Sequence, residues 1–356
     1  MSGVEKVLVV GPSWVGDMVM AQALYRLLVQ RAEKTEIHVV APAWSLPVLA
    51  RMPEVTRGIE LAVGHGELGL VRRYALGVEL RAERYTHAIV LPRSAKAALV
   101  PWFARIPQRT GFRGEWRYGL LNDVRRLDSH LDQTVKRFVA LGQRRDEAPL
   151  PSVPAELHPR LAVSAENLER LRADHALRVE VPLVALMPGA EYGPAKRWPA
   201  AQFGVVAARL ASLGIDVVVL GSAKERVFGE EIAAAATSAR VRNLCGRTSL
   251  ADVIDLLAAA DVAVSNDSGL LHVAAATGTH VVAIYGSSSP EFTPPLTTAA
   301  DVLYLKLDCS PCFARECPLG HLRCLHEISA ATVLERVAAL IRERPATAAA
   351  GGRADG

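Results

Sequence analysis

Ser265-Asn-Asp-Ser-Gly-Leu-Leu-His272 leaves an apolar run and enters a helical one, which places Asp267, Ser268, Gly269 and His272 around a helix N-terminus. The first amides of a helix have no partner within it, and the helix dipole favours negative charge there, so such an end suits a phosphate. A capped end beside a buried histidine is the alternative. Pro188 to Trp198 puts Lys196 and Arg197 just ahead of another helix, in a loop whose glycines permit close approach of a ligand; a solvated turn fits it too. Gly221-Ser-Ala-Lys-Glu225 offers a carboxylate, Glu225, to a pair of ribose hydroxyls, and Tyr285-Gly-Ser-Ser-Ser-Pro290 is a further hydroxyl-rich loop expected to open beside Asp267. In Gly11-Pro-Ser-Trp-Val-Gly-Asp17, Asp17 stands between Val15 and Met18 at the start of a helix, where apolar neighbours would raise a carboxylate toward the range of a general base. A helix cap explains the same residue.

Basic residues gather elsewhere. Residues 1–150 carry 22 Lys/Arg against 15 Asp/Glu, a balance of +7, so a chain of net charge +4 leaves −3 for the rest. Arg93, Lys96, Arg105, Arg109, Arg113, Arg117, Arg125 and Arg126 are opposed by Glu115 and Asp123 alone in that segment. An anionic partner is implied (a phosphorylated substrate, a membrane surface or a nucleic acid), or else a solvated basic face. Few aromatics interleave with these cations, which argues against binding of single-stranded nucleic acid. Cys309, Cys312, Cys317 and Cys324 fall within 16 residues and make up four of the five cysteines. A structural zinc is the sharp reading of that spacing, and reduced thiols in a loop the plain one.

The elements that must position these groups alternate strand and helix. Val7–Val10, Ile37–Ala41 and Ala88–Leu91 are short apolar runs, as buried parallel strands require, and Met18–Leu28 carries a helical period. Leu150–Pro159 holds three prolines and reads as a linker. The pattern then restarts with strands at Leu183–Met187, Ile215–Leu220, Asp261–Ser265 and His280–Tyr285, and helices at Ala200–Leu213, Lys224–Ala236 and Gly269–Thr277. Ser249 with Asp252 forms a capping box, and Ala330–Arg342 is a last amphipathic helix. The expected fold is α/β: two doubly wound, Rossmann-like domains, 1–155 and 156–344, facing across a cleft, with 345–356 a disordered tail. In such sheets ligands sit beyond the carboxyl ends of the strands, where every loop above falls.

The 356 residues suit two domains; with 50% hydrophobic and 22% charged residues, collagen-like, coiled-coil and disordered classes are excluded. The first loop lacks the third glycine of a dinucleotide fingerprint, so a nicotinamide reading is weak. No signal peptide or membrane span is expected, since the uncharged stretch Ser268–Pro290 holds two histidines, three glycines and many hydroxyls.

Together Gly11 to Asp17, Ala41-Pro-Ala-Trp44, Arg51-Met-Pro-Glu54, Gly64-His-Gly66, Arg109-Thr-Gly-Phe-Arg-Gly114, Arg117 to Arg125, Pro188 to Pro199, Asn266 to His272 and Pro290-Glu-Phe-Thr-Pro-Pro295 resemble the ADP-heptose:lipopolysaccharide heptosyltransferases of type II, in glycosyltransferase family 9. The likeness runs from about Val7 to Ile341. It implies a GT-B fold, an inverting transfer from ADP-heptose to the first heptose of the lipopolysaccharide inner core, and an acceptor of the heptosyl-Kdo2-lipid A kind. It also implies a cytoplasmic location with peripheral contact at the inner membrane, no nucleic acid partner and no required cofactor, leaving assistance by a divalent ion open. By resemblance Asp17 is the base, Lys196 meets the diphosphate, Glu225 the ribose, and Asp267, Ser268, Gly269 and His272 the donor. The basic Lys96, Arg93 and Arg113 are assigned here to the anionic acceptor. Glu191-Tyr192 departs from the Thr-Thr of type I enzymes. A type I or III heptosyltransferase, or a non-catalytic nucleotide-sugar-binding protein, is the rival reading; the latter has no need of Asp17.

Overall fold

The computed structural model describes residues 5–32, 34–64 and 66–343, so His65 and the expected tail at 345–356 lie outside the described residues. The chain divides into two compact units, Met1–Ala162 and Val163–Gly356.

The first unit is a six-stranded sheet of β1 (Glu5–Val10), β2 (Thr35–Ala41), β3 (Val55–Glu60), β4 (His87–Val90), β5 (Gln108–Phe112) and β6 (Asp123–Arg125), in the order β3-β2-β1-β4-β5-β6. Every pairing is parallel. Val7, Leu8 and Val9 are wholly buried, because helices cover both faces of a parallel sheet. Leu8, Val40, Ile59, Tyr85, Ala88 and Val100 form one apolar cluster of this unit.

The second unit repeats the plan with β7 (Leu183–Met187), β8 (Asp216–Val219), β9 (Val241–Asn243), β10 (Val262–Asn266), β11 (His280–Ile284) and β12 (Ala300–Leu303), in the order β12-β11-β10-β7-β8-β9, again all parallel. Its core joins Val184, Leu186, Trp198, Phe203, Val217 and Val264 to Val333 and Val337 of the final helix, Ala330–Arg342. The capping box of Ser249 and Asp252 is present at the helix Leu250–Ala259.

Both sheets are therefore doubly wound, and in each the chain reverses direction at one place: between β1 and β4, and between β7 and β10. The loops that diverge there leave a crevice, the usual ligand site of such sheets.

The structure corrects several expectations. Strands β3, β5, β6, β9 and β12 were not anticipated; β6 has no fully buried residue. The proline-rich segment is not a free linker at residue 155 but belongs to the first unit. Gln22 donates to the Arg160 carbonyl at 2.7 Å and accepts from its amide at 3.0 Å, and Ala162 N donates to Arg51 O at 2.7 Å. The stretch Ser268–Pro290 resolves into helix, strand and loop, and among the described residues no helix is long and apolar enough to cross a membrane.

Candidate active site

In the second unit the groups at the sheet's reversal point interlock. β10 ends on Asn266, which is fully buried; its amide nitrogen donates to Pro188 O at 2.7 Å and its oxygen accepts from Trp198 N at 3.0 Å. That one side chain clamps both ends of the loop after β7. Within the loop, the 3-10 turn Pro194–Lys196 sends Lys196 Nζ to Asp267 Oδ2, 2.5 Å away, and the ammonium also lies 5.2 Å from the centre of the Tyr192 ring. Asp267 is 5% exposed, and its amide donates to Ile284 O of β11. The helix Gly269–Ala276 begins beside it, with Ser268 at the N-cap making no side-chain cap, so its first-turn amides and dipole are directed to whatever lies beyond Asp267. His272 is buried one turn in; burial holds its imidazole below the ordinary value against the pull of Asp267, so it is neutral at neutral pH.

Glu225 sits where β8 ends. Its Oε2 accepts from Ser222 N at 2.6 Å in a capping box, while Oε1 lies 1.8 Å from where a Cβ on Gly189 would be. A Cβ at 189 would displace this carboxylate, which lies between the loops after β7 and β8. The loop after β11 is less open than expected: Ser287 and Ser288 are buried, with hydroxyls that have no protein partner.

The first unit presents Asp17 in the opening turn of the helix Val15–Arg31, directly after β1. Trp14, not Asp17, holds the N-cap position, and it makes no side-chain cap. Asp17 is the third residue of that helix, in the first turn, where the dipole favours a carboxylate. The loop before it is anchored by Trp44, whose indole donates to Ser13 O at 2.8 Å. After β4, Lys96 donates from Nζ to the carbonyls of Gly66 (2.8 Å) and Glu67 (3.1 Å). Arg93 and Arg113 are exposed, with Arg93 Nε donating to Arg113 O at 3.3 Å.

A glycosyltransferase family 9 (heptosyltransferase) model matches residues 73–323 of this chain. The chain belongs to glycosyltransferase family 9. It is 46% identical over 346 residues to lipopolysaccharide heptosyltransferase 2 of Salmonella typhimurium, covering 95% of this chain and 99% of the relative. It is also 46% identical over 349 residues to lipopolysaccharide heptosyltransferase 2 of Escherichia coli K12, covering 96% and 100%. The solved structure of the ADP-heptose lps heptosyltransferase II of E. coli superposes with a TM-score of 0.84 at 44% identity, over 95% of this chain and 99% of that one. The two-unit α/β fold is thus that of a GT-B glycosyltransferase.

Within this family 9 enzyme much of the basic segment is committed to the fold. Arg109 donates to the carbonyls of Leu120 and Ile106, and Arg125 to those of Ala140 and Gln143. Arg117 is 2% exposed and donates to Pro92 O and Phe112 O; burial lowers it to about 10. These three arginines hold the fold, and the cations left for a ligand are fewer than a count of the segment suggests.

The four clustered thiols lie near one another, since after burial Cys309, Cys312 and Cys317 all help to push Cys324 up. They do not close into a cage: among the described residues no three His, Cys, Asp or Glu side chains could hold a metal ion. Cys324 is packed into the core of the second unit while Cys312 is exposed. A further role of the segment was missed by sequence reasoning. It braces two loops of the glycosyltransferase at once: Phe313 N donates to Ser287 O, Tyr192 donates to Phe313 O, and Ala195 N donates to Arg315 O. Glu191 accepts from Lys224 at 2.6 Å, and the Tyr192 hydroxyl is taken up by Phe313 O.

Proposed function

We propose that this family 9 glycosyltransferase moves L-glycero-D-manno-heptose from ADP-heptose to the first heptose of the lipopolysaccharide inner core, with inversion. One observation carries the reading: a cation, a carboxylate and a helix N-terminus meet at the reversal point of the second sheet, and a second carboxylate, Asp17, stands at that of the first. Both long relatives bear the type 2 name, which supports this acceptor over those of types I and III.

In this mechanism Asp17 takes the proton from the attacking acceptor hydroxyl as its oxygen bonds to the anomeric carbon of the donor. The bond to the diphosphate breaks in the same step, which inverts that carbon. Negative charge develops on ADP, and Lys196 and the amides of the Gly269–Ala276 helix stabilise it. Asp267 holds Lys196 in place until the diphosphate arrives. Glu225 takes the ribose hydroxyls through the oxygen not engaged by Ser222. Lys96, Arg93 and Arg113 meet the anionic groups of heptosyl-Kdo2-lipid A, a lipid-linked acceptor that brings the enzyme to the inner face of the inner membrane.

The test is ADP release from ADP-heptose with and without a core acceptor bearing one heptose, with and without chelator. Release that depends on that acceptor and survives chelation is expected. Its absence with any heptosylated core overturns the function; loss on chelation overturns the expectation that no divalent ion is needed.

A further inference from the structure

The Tyr192 ring carries a second cation. The Arg315 guanidinium lies 5.4 Å from its centre, and Lys196 Nζ lies 5.2 Å from the same centre. Arg315 comes from the thiol-bearing segment rather than from either loop at the reversal point. Its backbone is pinned, because its carbonyl accepts from Ala195 N at 3.1 Å and would meet a Cβ on Gly193 at 2.4 Å. Its Nε donates to Tyr192 O at 2.8 Å. That one hydrogen bond and the ring fix the plane of the guanidinium, while the residue as a whole is exposed.

Charge makes the arrangement informative. Lys196 is already matched by Asp267, so the reversal point alone is close to neutral, yet a nucleoside diphosphate brings two phosphates. A planar guanidinium, held at one nitrogen and exposed beyond it, is suited to pairing with a phosphate through two parallel N–H donors. Two cations held near one aromatic ring repel each other, and an anion that pairs with both relieves that repulsion.

We propose that Arg315 is a second donor-binding residue, which contacts the diphosphate of the nucleotide sugar alongside Lys196. This rests on the reading of the Lys196 loop as the diphosphate site. The segment bearing the cysteines then delivers a ligand-binding side chain, beyond bracing the loops.

The experiment measures ADP and adenosine binding by calorimetry for the full chain and for Arg315→Gln and Arg315→Lys, at two salt concentrations. Glutamine keeps a donor for Tyr192 O and removes the charge, so the loop is preserved. Arg315→Gln should weaken ADP about five- to thirtyfold, leave adenosine within twofold, and reduce the salt dependence of ADP binding; Arg315→Lys should recover part of the loss. Equal weakening of ADP and adenosine would make Arg315 a packing residue and overturn the proposal, as would unchanged ADP binding. If the unsubstituted chain binds ADP no better than adenosine, the diphosphate reading itself fails, and that outcome is distinct because it appears before any substitution.

Discussion

The two units share one sheet plan but treat their candidate groups in opposite ways. In the second, Asn266, Asp267 and His272 are each at most 5% exposed, and the first two are bonded to the loop after β7. In the first, Arg93 and Arg113 are exposed, and Lys96 is anchored by two carbonyls of a neighbouring loop. A buried, cross-linked constellation suits a small ligand that is always the same, whereas exposed cations suit a large, highly charged one whose contacts are spread over a surface. The contrast teaches that the repeated fold is not repeated chemistry.

If the division is real, substitutions should separate cleanly by unit. The largest effect is expected at Asp17: Asp17→Asn should lower turnover by about two to four decades while ADP affinity stays within about twofold. A parallel collapse of ADP binding in calorimetry would make Asp17 structural. Next is Lys196→Met, which should weaken ADP by about 1.5–3 kcal/mol and also lower the melting temperature, because it leaves Asp267 buried without its cation. Adding Asp267→Asn should recover the melting temperature and not the ADP affinity; recovery of both would remove Lys196 from the ligand.

Acid should strike the first unit through His87. Burial lowers its imidazole to about 4 from 6.5, and Thr110 Oγ1 lies 2.8 Å from its Nε2. Between those values the unfolded chain binds a proton that the folded chain refuses, so this contribution to stability is complete above pH 6.5 and is lost as the pH falls toward 4. Urea unfolding at pH 7 and pH 5 should differ by about 1–2 kcal/mol more in the natural chain than in His87→Gln. Equal differences would dismiss the assignment. The smallest effect is expected at Lys96: Lys96→Met should raise the acceptor Michaelis constant about fivefold, less so at high salt. A matching rise for ADP-heptose would place Lys96 in the fold through its bonds to Gly66 and Glu67.

Much of this architecture could be read before any coordinates. Leu183–Met187 and Ala330–Arg342 coincide with the elements that their apolar patterns predict, because burial on both faces or on one stripe leaves an unambiguous record. Strands β5 and β6 left no such record. Thr110 donates to Asp123, and Asp123 pairs with Arg125, so polar side chains bond to one another across this edge where apolar ones would pack. The loops at the second reversal point were legible for a related reason, since their glycine, serine and aspartate runs follow directly on apolar strands. The arginines were not, because a sequence counts charges but does not show which carbonyls they reach, as Arg109, Arg117 and Arg125 demonstrate. Arg315 stayed hidden since its place in the chain is remote from Tyr192 and only the fold joins them.

The close fit of Gly193 against the Arg315 carbonyl bears on how this scaffold can be re-engineered. A chimera that imports residues 188–198 from another enzyme would carry a loop shaped for a foreign floor, and any larger residue at 193 would collide with main chain that cannot retreat. The loop should therefore be transplanted as a two-piece cassette, residues 188–198 together with 309–315, and not alone.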